Sequence, residues 1–469
     1  MNFNLTILND TSNSMTTQTD SPQPNAWALI PFLVFAVFYV GLSLYAKYGC
    51  HVDMAFYQVP MPIAFLVAST TAIVFNRKKS LEKKIDTYAA GMGETNIMIM
   101  CLIFILAGAF ATVAKGSGAV DAAVALAQSV IPARFMVAGV FLISCLISLA
   151  IGTSCGTIAA LAPIALGFTE PLQLSPALLL GAVVGGSMFG DNLSMISDTT
   201  IAATRTQNVG MKDKFRANVC IVTPAAILAF ALYGLMGSSA GTVATPSVNF
   251  QHVLLVLPYV LILVLALLGL NVMFLLFSGT VLASVIGTCL GRTSIFEVVN
   301  AAGASTTPGI FELLRQGTLG MSETLFVALL AGGLFATIQA NGGVRWLTDR
   351  ISTLIRGPRT CEIGAFLLVA LVNCFTANNT VAIVIAGPIV RTCSEKFKAV
   401  PVRLASVLDT ASCIVQGLLP YGAQILIALG IAQNAKFSLS AFDLIQHLYY
   451  QPLLALAVVV SIAFPRIRK

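Results

Sequence analysis

The stretch "FGDNLSMISDTT", residues 189–200, decides how this chain is read. It sets two aspartates and six other polar or glycine residues in twelve positions. Apolar sequence flanks it. "PALLLGAVVGGSM" runs into it, and "IVTPAAILAFALYGLMG" follows after a short basic loop. The whole chain, 469 residues, is 57% hydrophobic and 10% charged, against about 25% charged in a soluble domain. Apolar runs at 27–46, 97–114, 135–151, 221–236, 253–270 and 441–464 approach or exceed the ~18–20 residues that cross a bilayer. The chain reads as an all-α polytopic membrane protein, and polar residues inside its spans need a reason.

Composition also excludes. Residues 1–26 are polar and hold no Lys or Arg, which suits a disordered tail and not a cleaved signal with its basic first segment. The net charge of +7 comes from short loops between spans, so it is no nucleic-acid footprint. The ten cysteines follow no CxxC spacing and read as small buried hydrophobes. The three histidines are scattered away from the quoted stretch, which disfavours a histidine metal site, and no cofactor is expected. There is no GxxxxGK loop for ATP. An intramembrane aspartyl protease needs GxGD and Tyr-Asp. Met188 stands where the first of those glycines should be, and no Tyr-Asp pair occurs. No enzyme is expected.

The chain repeats one plan twice. "GMGET" at 91–95 recurs as "GMSET" at 320–324, and "FAT" at 110–112 recurs at 335–337, an offset of 225. The same offset pairs Pro163 with Pro388, Pro176 with Pro401, Leu179 with Leu404, Ser187 with Ser412 and Leu193 with Leu418. Each copy reads as three spans, a weakly amphipathic stretch, two apolar arms joined by a polar tip, an interrupted span and a closing span. The first three spans fall at 27–46, 60–75 and 97–114, then at 253–270, 272–290 and 325–340. The second arms, 158–168 and 381–390, are too short to cross, so the arms form re-entrant hairpins. Each copy then crosses five times. Five is odd, so the second copy is inverted. The expected organisation is a polar tail over 1–26, one inverted repeat over 27–237, an external linker over 238–250 and the other repeat over 251–469.

Charge fixes the orientation. With the amino terminus in the cytoplasm, twenty of the 26 basic residues fall inside, Lys212, Lys214 and Arg403 among them. Such a bias matches the positive-inside rule and puts both termini in the cytoplasm.

Four polar breaks result. The hairpin tips are "IGTSCGT" (151–157) and "FTANNT" (375–380), and the interrupted spans break at "GDNLS" (190–194) and around "QGLLPYG" (416–422). Backbone that leaves a helix is tolerated at membrane depth only inside protein or along a polar cavity. Broken helices in inverted repeats are the pattern of secondary transporters. Asp191 is expected inside the first break. Asp198, seven residues on, faces the same way if the segment is helical. Asp409 lies in the second copy, matched to Val184. An acid at mid-membrane costs ~2.5–3.5 kcal/mol, which marks these three as functional candidates. Glu94 and Glu323 begin spans and read as dipole partners.

Thr153, Ser154, Ser194, Ser197, Thr199, Asn378, Asn379, Thr380 and Ser412 stand near the breaks. Each alone is an ordinary polar residue bonding backbone. As a set at four related breaks they make a site. Desolvation favours the protonated form of a carboxylate, so such a site can exchange a proton for a small cation. Na+ is expected at Asp191, Ser154 and Asn378.

The quoted stretch resembles the signature of NhaC-type sodium/proton antiporters, in the ion transporter superfamily of inverted-repeat carriers. "GTSCGT" resembles the hairpin tip of the same family. The resemblance implies that Asp191, Ser194, Ser197, Asp198 and Thr199 line the cation and proton site, with Ser154 from the hairpin. The chain departs from the family at Asn192, Met195 and Cys155, where His, Pro and Trp are common, so histidine-based pH sensing beside Asp191 is not implied. The departures also suit a subfamily with another substrate, since relatives exchange Na+ or protons against organic acids such as malate and lactate.

The expected function is Na+/H+ antiport by alternating access in the bacterial inner membrane, with proton and cation competing at Asp191. The alternative is an organic anion coupled to Na+ or H+ on the same fold. The expected partners are Na+, H+ and the lipid bilayer, without nucleic acid, and a homodimer is left open.

Overall fold

The structure is a computed structural model and describes residues 22–52, 58–75, 80–237, 248–299 and 305–464. Most of the expected tail (1–26) and linker (238–250) lies outside the described residues.

The two halves repeat one order of helices. The first holds α1 (Ala26–Gly49), α2 (Met61–Phe75), α3 (Leu81–Met92), α4 (Thr95–Gly116) and α5 (Ala119–Val130). A hairpin of α6 (Met136–Ile151) and α7 (Ser154–Gly167) follows, then a broken pair, α8 (Pro176–Leu193) and α9 (Asp198–Gln207), then α10 (Met211–Met236). The second half follows the same order of main helices, apart from a short helix at Thr169–Leu172 in the first half and one at Ala441–Ile445 in the second. It holds α11 (Phe250–Leu267), α12 (Val272–Cys289), α13 (Ile310–Leu319), α14 (Ser322–Ala340) and α15 (Gly343–Ser352). The hairpin α16 (Pro358–Thr376) and α17 (Asn379–Phe397), the broken pair α18 (Pro401–Leu418) and α19 (Ala423–Asn434), and α20 (Tyr450–Ala463) complete it. A short antiparallel pair, Val298–Val299 with Ser305–Thr307, joins α12 to α13.

Local chemistry explains the punctuation. Pro176 and Pro401 begin α8 and α18 at the first helical position, where a missing N–H costs nothing. The hairpin turns are equivalent. The N–H groups of Gly152 and Ala377, both left-handed, donate to Ser148 O (2.8 Å) and Asn373 O (2.9 Å). Gly152 is needed twice over, since φ is +73° and a Cβ there would press on Ile196.

Packing between the halves is reciprocal. Helix α3 lies on α14 while α13 lies on α4; α2 lies on α14 while α12 lies on α4. At the centre α7 packs on α19 while α17 packs on α9, and α8 meets α18. Such reciprocal contacts, i with j and j with i, are what a two-fold relation between the halves would produce. Single atoms obey it. Ser148 Oγ donates to Ser187 O (2.5 Å), and at the matching positions Asn373 Nδ2 donates to Ser412 O (2.9 Å). The broken pairs form much of the interior, and most residues of α8 and α9 are buried. Lipid supplies no hydrophobic drive between helices, so close contact of small residues takes that role. Gly186 and Gly190 lie against α6 so closely that a Cβ would overlap its backbone.

Ten helices among the described residues are long and apolar enough to cross a membrane. The number agrees with the sequence reading, but the set differs. It includes the arms Ala133–Ile151 and Pro358–Thr376 and omits the shorter α2 and α20. The arm expected over 381–390 extends over Asn379–Phe397, because its last turns are helical despite Arg391, Glu395 and Lys396. The amphipathic helices α3 and α13, just before the two repeat markers, were not expected at all.

Candidate functional site

The four breaks meet in one cleft of about 180 Å³. Helix α8 runs on through Leu193, so Asp191 lies in its last turn and the break falls at residues 194–197. This corrects the expectation that Asp191 sits inside the break. Asp191 is buried, at 5% exposure. Ser154 Oγ, at the hairpin tip, donates to its Oδ2 (2.6 Å), and Ser197 Oγ, just before α9, donates to its Oδ1 (2.5 Å). Thr199 Oγ1 lies 2.9 Å from Ser197 Oγ. From the second half, Gln424 Nε2 donates to Ser154 Oγ (2.9 Å) and Gln416 Nε2 to Ala377 O (2.8 Å).

Two amide oxygens remain. Gln416 Oε1 and Gln424 Oε1 are buried without a hydrogen-bond partner, and both residues line the cleft. An unpaired buried acceptor costs about 1–3 kcal/mol, a cost that a cation ligand would remove.

The amino ends of α7, α9, α17 and α19 all line this cleft. Each carries roughly half a positive charge. Together they offset much of the charge of Asp191 and of Asp198, the exposed first residue of α9.

Nine of the expected site residues line the cleft: Thr153, Ser154, Asp191, Ser197, Asp198, Thr199, Asn378, Asn379 and Thr380. Asn378 uses its side-chain oxygen to cap α17, accepting from Val381 N (3.0 Å). Three others lie elsewhere. Ser194 Oγ accepts from Ile196 N (3.3 Å) within the break. Ser412 Oγ donates to Asp409 O (2.8 Å) and so serves α18 itself. Asp409 forms an ion pair with Lys214, both fully buried, and is therefore not a free carboxylate.

Lys214 corrects the loop assignment made from charge. It lies in the first turns of α10 and is 1% exposed. Besides the ion pair, its ammonium donates to Asn192 O (2.6 Å) and Thr200 Oγ1 (2.8 Å). It therefore ties both halves of the broken helix to α10 and α18. Asn218 adds bonds to Asn192 O (3.1 Å) and Oδ1 (2.7 Å), and Ser406 Oγ donates to Asn218 Oδ1 (2.5 Å).

As site residues, sequence reasoning missed Gln416 and Gln424, Asn96, which also lines the cleft, and Lys214. The repeat would have found two of them, because Gln416 and Gln424 stand 225 residues after Asp191 and Thr199.

Paired hairpins and broken helices around a buried carboxylate, in a chain of membrane-spanning helices, define a secondary transporter. The model of the Na+/H+ antiporter family matches residues 7–238 and 241–463. The chain belongs to that family. It is 23% identical over 439 residues to the malate-2H(+)/Na(+)-lactate antiporter of Bacillus subtilis, covering 88% of this chain and 91% of that one. It is 24% identical over 432 residues to the Na(+)/H(+) antiporter NhaC of the same organism, covering 86% and 91%. Among solved structures, the Alcanivorax borkumensis YdaH transporter aligns over 92% of this chain and 97% of that one, at 14% identity and a TM-score of 0.36, too low to carry a fold argument.

Proposed function

We propose that the protein exchanges Na+ for protons by alternating access, both ions competing for Asp191. One observation carries this reading. A buried carboxylate shares a cleft with two carbonyl oxygens, those of Gln416 and Gln424, that lack partners. A dehydrated Na+ needs several oxygens in place of its water shell. The Ser154 and Ser197 hydroxyls can rotate from donating to accepting and complete the set. A proton on Asp191 removes the charge that offsets dehydration, so proton and Na+ exclude each other. Asp198, exposed at the cleft, would gather cations without holding them.

The cleft is also lined by Asn96, Ile99, Met100 and Ile103, on the first turns of α4. With both termini cytoplasmic in a bacterial inner membrane, α4 starts inside, and this conformation is open inward. Five crossings per repeat, an odd number, would invert the second repeat across the membrane.

The test uses purified protein in liposomes with an internal pH dye, pulsed with Na+, Li+ or K+. Asp191→Asn keeps the size and a carbonyl oxygen but cannot exchange a proton. It is expected to abolish Na+-driven proton movement in a folded protein, while Asp198→Asn reduces it less. Wild-type proton flux in Asp191→Asn would remove that residue from the mechanism.

A second reading rests on the four converging helix amino ends, which favour an anion, and on the relative named for malate and lactate. In it, an organic acid enters the cleft beside the cation. Pulses of malate and lactate in the same liposomes separate the two readings.

A further inference from the structure

A second hollow, of roughly 570 Å³, shares no lining residue with the ion cleft. It lies where α16 begins, α17 ends and α18 begins. Arg356, Arg359, Lys398 and Arg403 line it, with Glu362. The acid is already engaged. Arg403 Nε and Nη2 donate to the two carboxylate oxygens of Glu362 at 2.6 and 2.7 Å, and this pair is largely buried. Among the described residues no carboxylate lies within ion-pair distance of Arg356, Arg359 or Lys398. Three like charges therefore surround one hollow uncompensated.

The backbone adds to the field. Thr360 Oγ1 accepts from the N–H groups of Arg356 (2.9 Å) and Gly357 (2.8 Å), which folds the loop back over the start of α16. The first-turn N–H groups and the positive dipole end of that nineteen-residue helix add to the attraction for an anion. Exposed apolar residues also stand in the hollow and beside it in the chain. Val400 is 53% exposed and nearby Leu354 61%, at the ends of helices long and apolar enough to span a membrane. Basic pockets at such ends suit lipid phosphates.

We propose that this hollow takes the phosphate of an anionic phospholipid, gripped by Arg356, Arg359 and Lys398, with its acyl chains along the exposed apolar residues. The site sits on the loop between α17 and α18, so a bound lipid would brace the second hairpin against the second broken helix. The inference needs only the membrane placement of the chain and not the ion chemistry.

The experiment is thermal unfolding of the purified full chain in detergent, titrated with phosphatidylglycerol, phosphatidylcholine or inorganic phosphate. Phosphatidylglycerol is expected to raise the unfolding temperature, and phosphatidylcholine to have little effect. The triple variant Arg356→Gln/Arg359→Gln/Lys398→Gln should bind the anionic lipid on the order of 100-fold more weakly, taking each basic residue as about a factor of five near an anionic headgroup. Single substitution Arg359→Gln, with a smaller loss, covers the case where the triple variant does not fold. Equal stabilisation of wild type and variants by phosphatidylglycerol would overturn the proposal. So would inorganic phosphate that stabilises the protein and displaces the lipid, since the site would then take a soluble anion.

Discussion

Replacing Lys214 by Met is expected to destabilise the protein by about 3–5 kcal/mol, the usual cost of leaving one member of a buried ion pair uncompensated. The figure follows from the surroundings. Asp409 is 0% exposed and Lys214 1%, so water cannot replace the missing partner. Asp409 would keep only long contacts, from Thr200 Oγ1 (3.4 Å) and Cys413 Sγ (3.9 Å). Asn192 O would not be orphaned, because Asn218 Nδ2 still donates to it (3.1 Å). The loss is therefore mainly one of charge. Lys214→Met combined with Asp409→Leu removes both charges and should recover most of the stability, as apolar replacement of buried pairs often does. A double-mutant cycle on purified protein, followed by thermal unfolding in detergent, should give a coupling of at least ~2 kcal/mol. A coupling within about 0.5 kcal/mol of zero would refute the ion pair as the tie that holds the broken helix. Sodium-driven proton flux in the folded double variant then separates structure from transport: if Asp409 is only structural, flux survives.

Three further outcomes are expected. Gln424→Leu removes an unpartnered carbonyl oxygen and the bond to Ser154, so half-maximal transport should require on the order of tenfold more Na+; an unchanged Na+ dependence would take Gln424 out of the coordination set. Gly190→Ala forces a Cβ into the backbone of α6 at Ser148 and Leu149 and should cost about 1–3 kcal/mol in thermal unfolding, more than Gly234→Ala, where the nearest contact is an ordinary 3.9 Å. A cysteine at exposed Glu82 on α3, in a background without Cys50, Cys220 and Cys289, should be labelled by an impermeant reagent only from the cytoplasmic side; labelling from outside would reverse the topology.

The sequence by itself determined the class and pointed to a repeat and to a candidate site. Those properties are one-dimensional. Apolar run lengths follow from the bilayer's thickness, an internal repeat is a constant offset, and polar breaks in apolar spans stand out because lipid cannot satisfy free backbone. Thus Asp191, Ser154 and Ser197 were legible as neighbours-to-be, although no residue count could say that α8 runs on through Leu193 before it breaks. Helix ends depend on what donates to the freed carbonyls, and here the Lys214 ammonium donates to that of Asn192. Tertiary structure also decided which carboxylate is free. Asp409 and Lys214 lie far apart in the chain and in different halves, so no local pattern pairs them. Folding spends one charge on the other, leaves Asp191 with hydroxyls instead of a cation, and brings the unpartnered oxygens of Gln416 and Gln424 to its side. Charge in a low-dielectric interior is governed by what lies within a few ångströms, and that neighbourhood exists only once the two halves have packed.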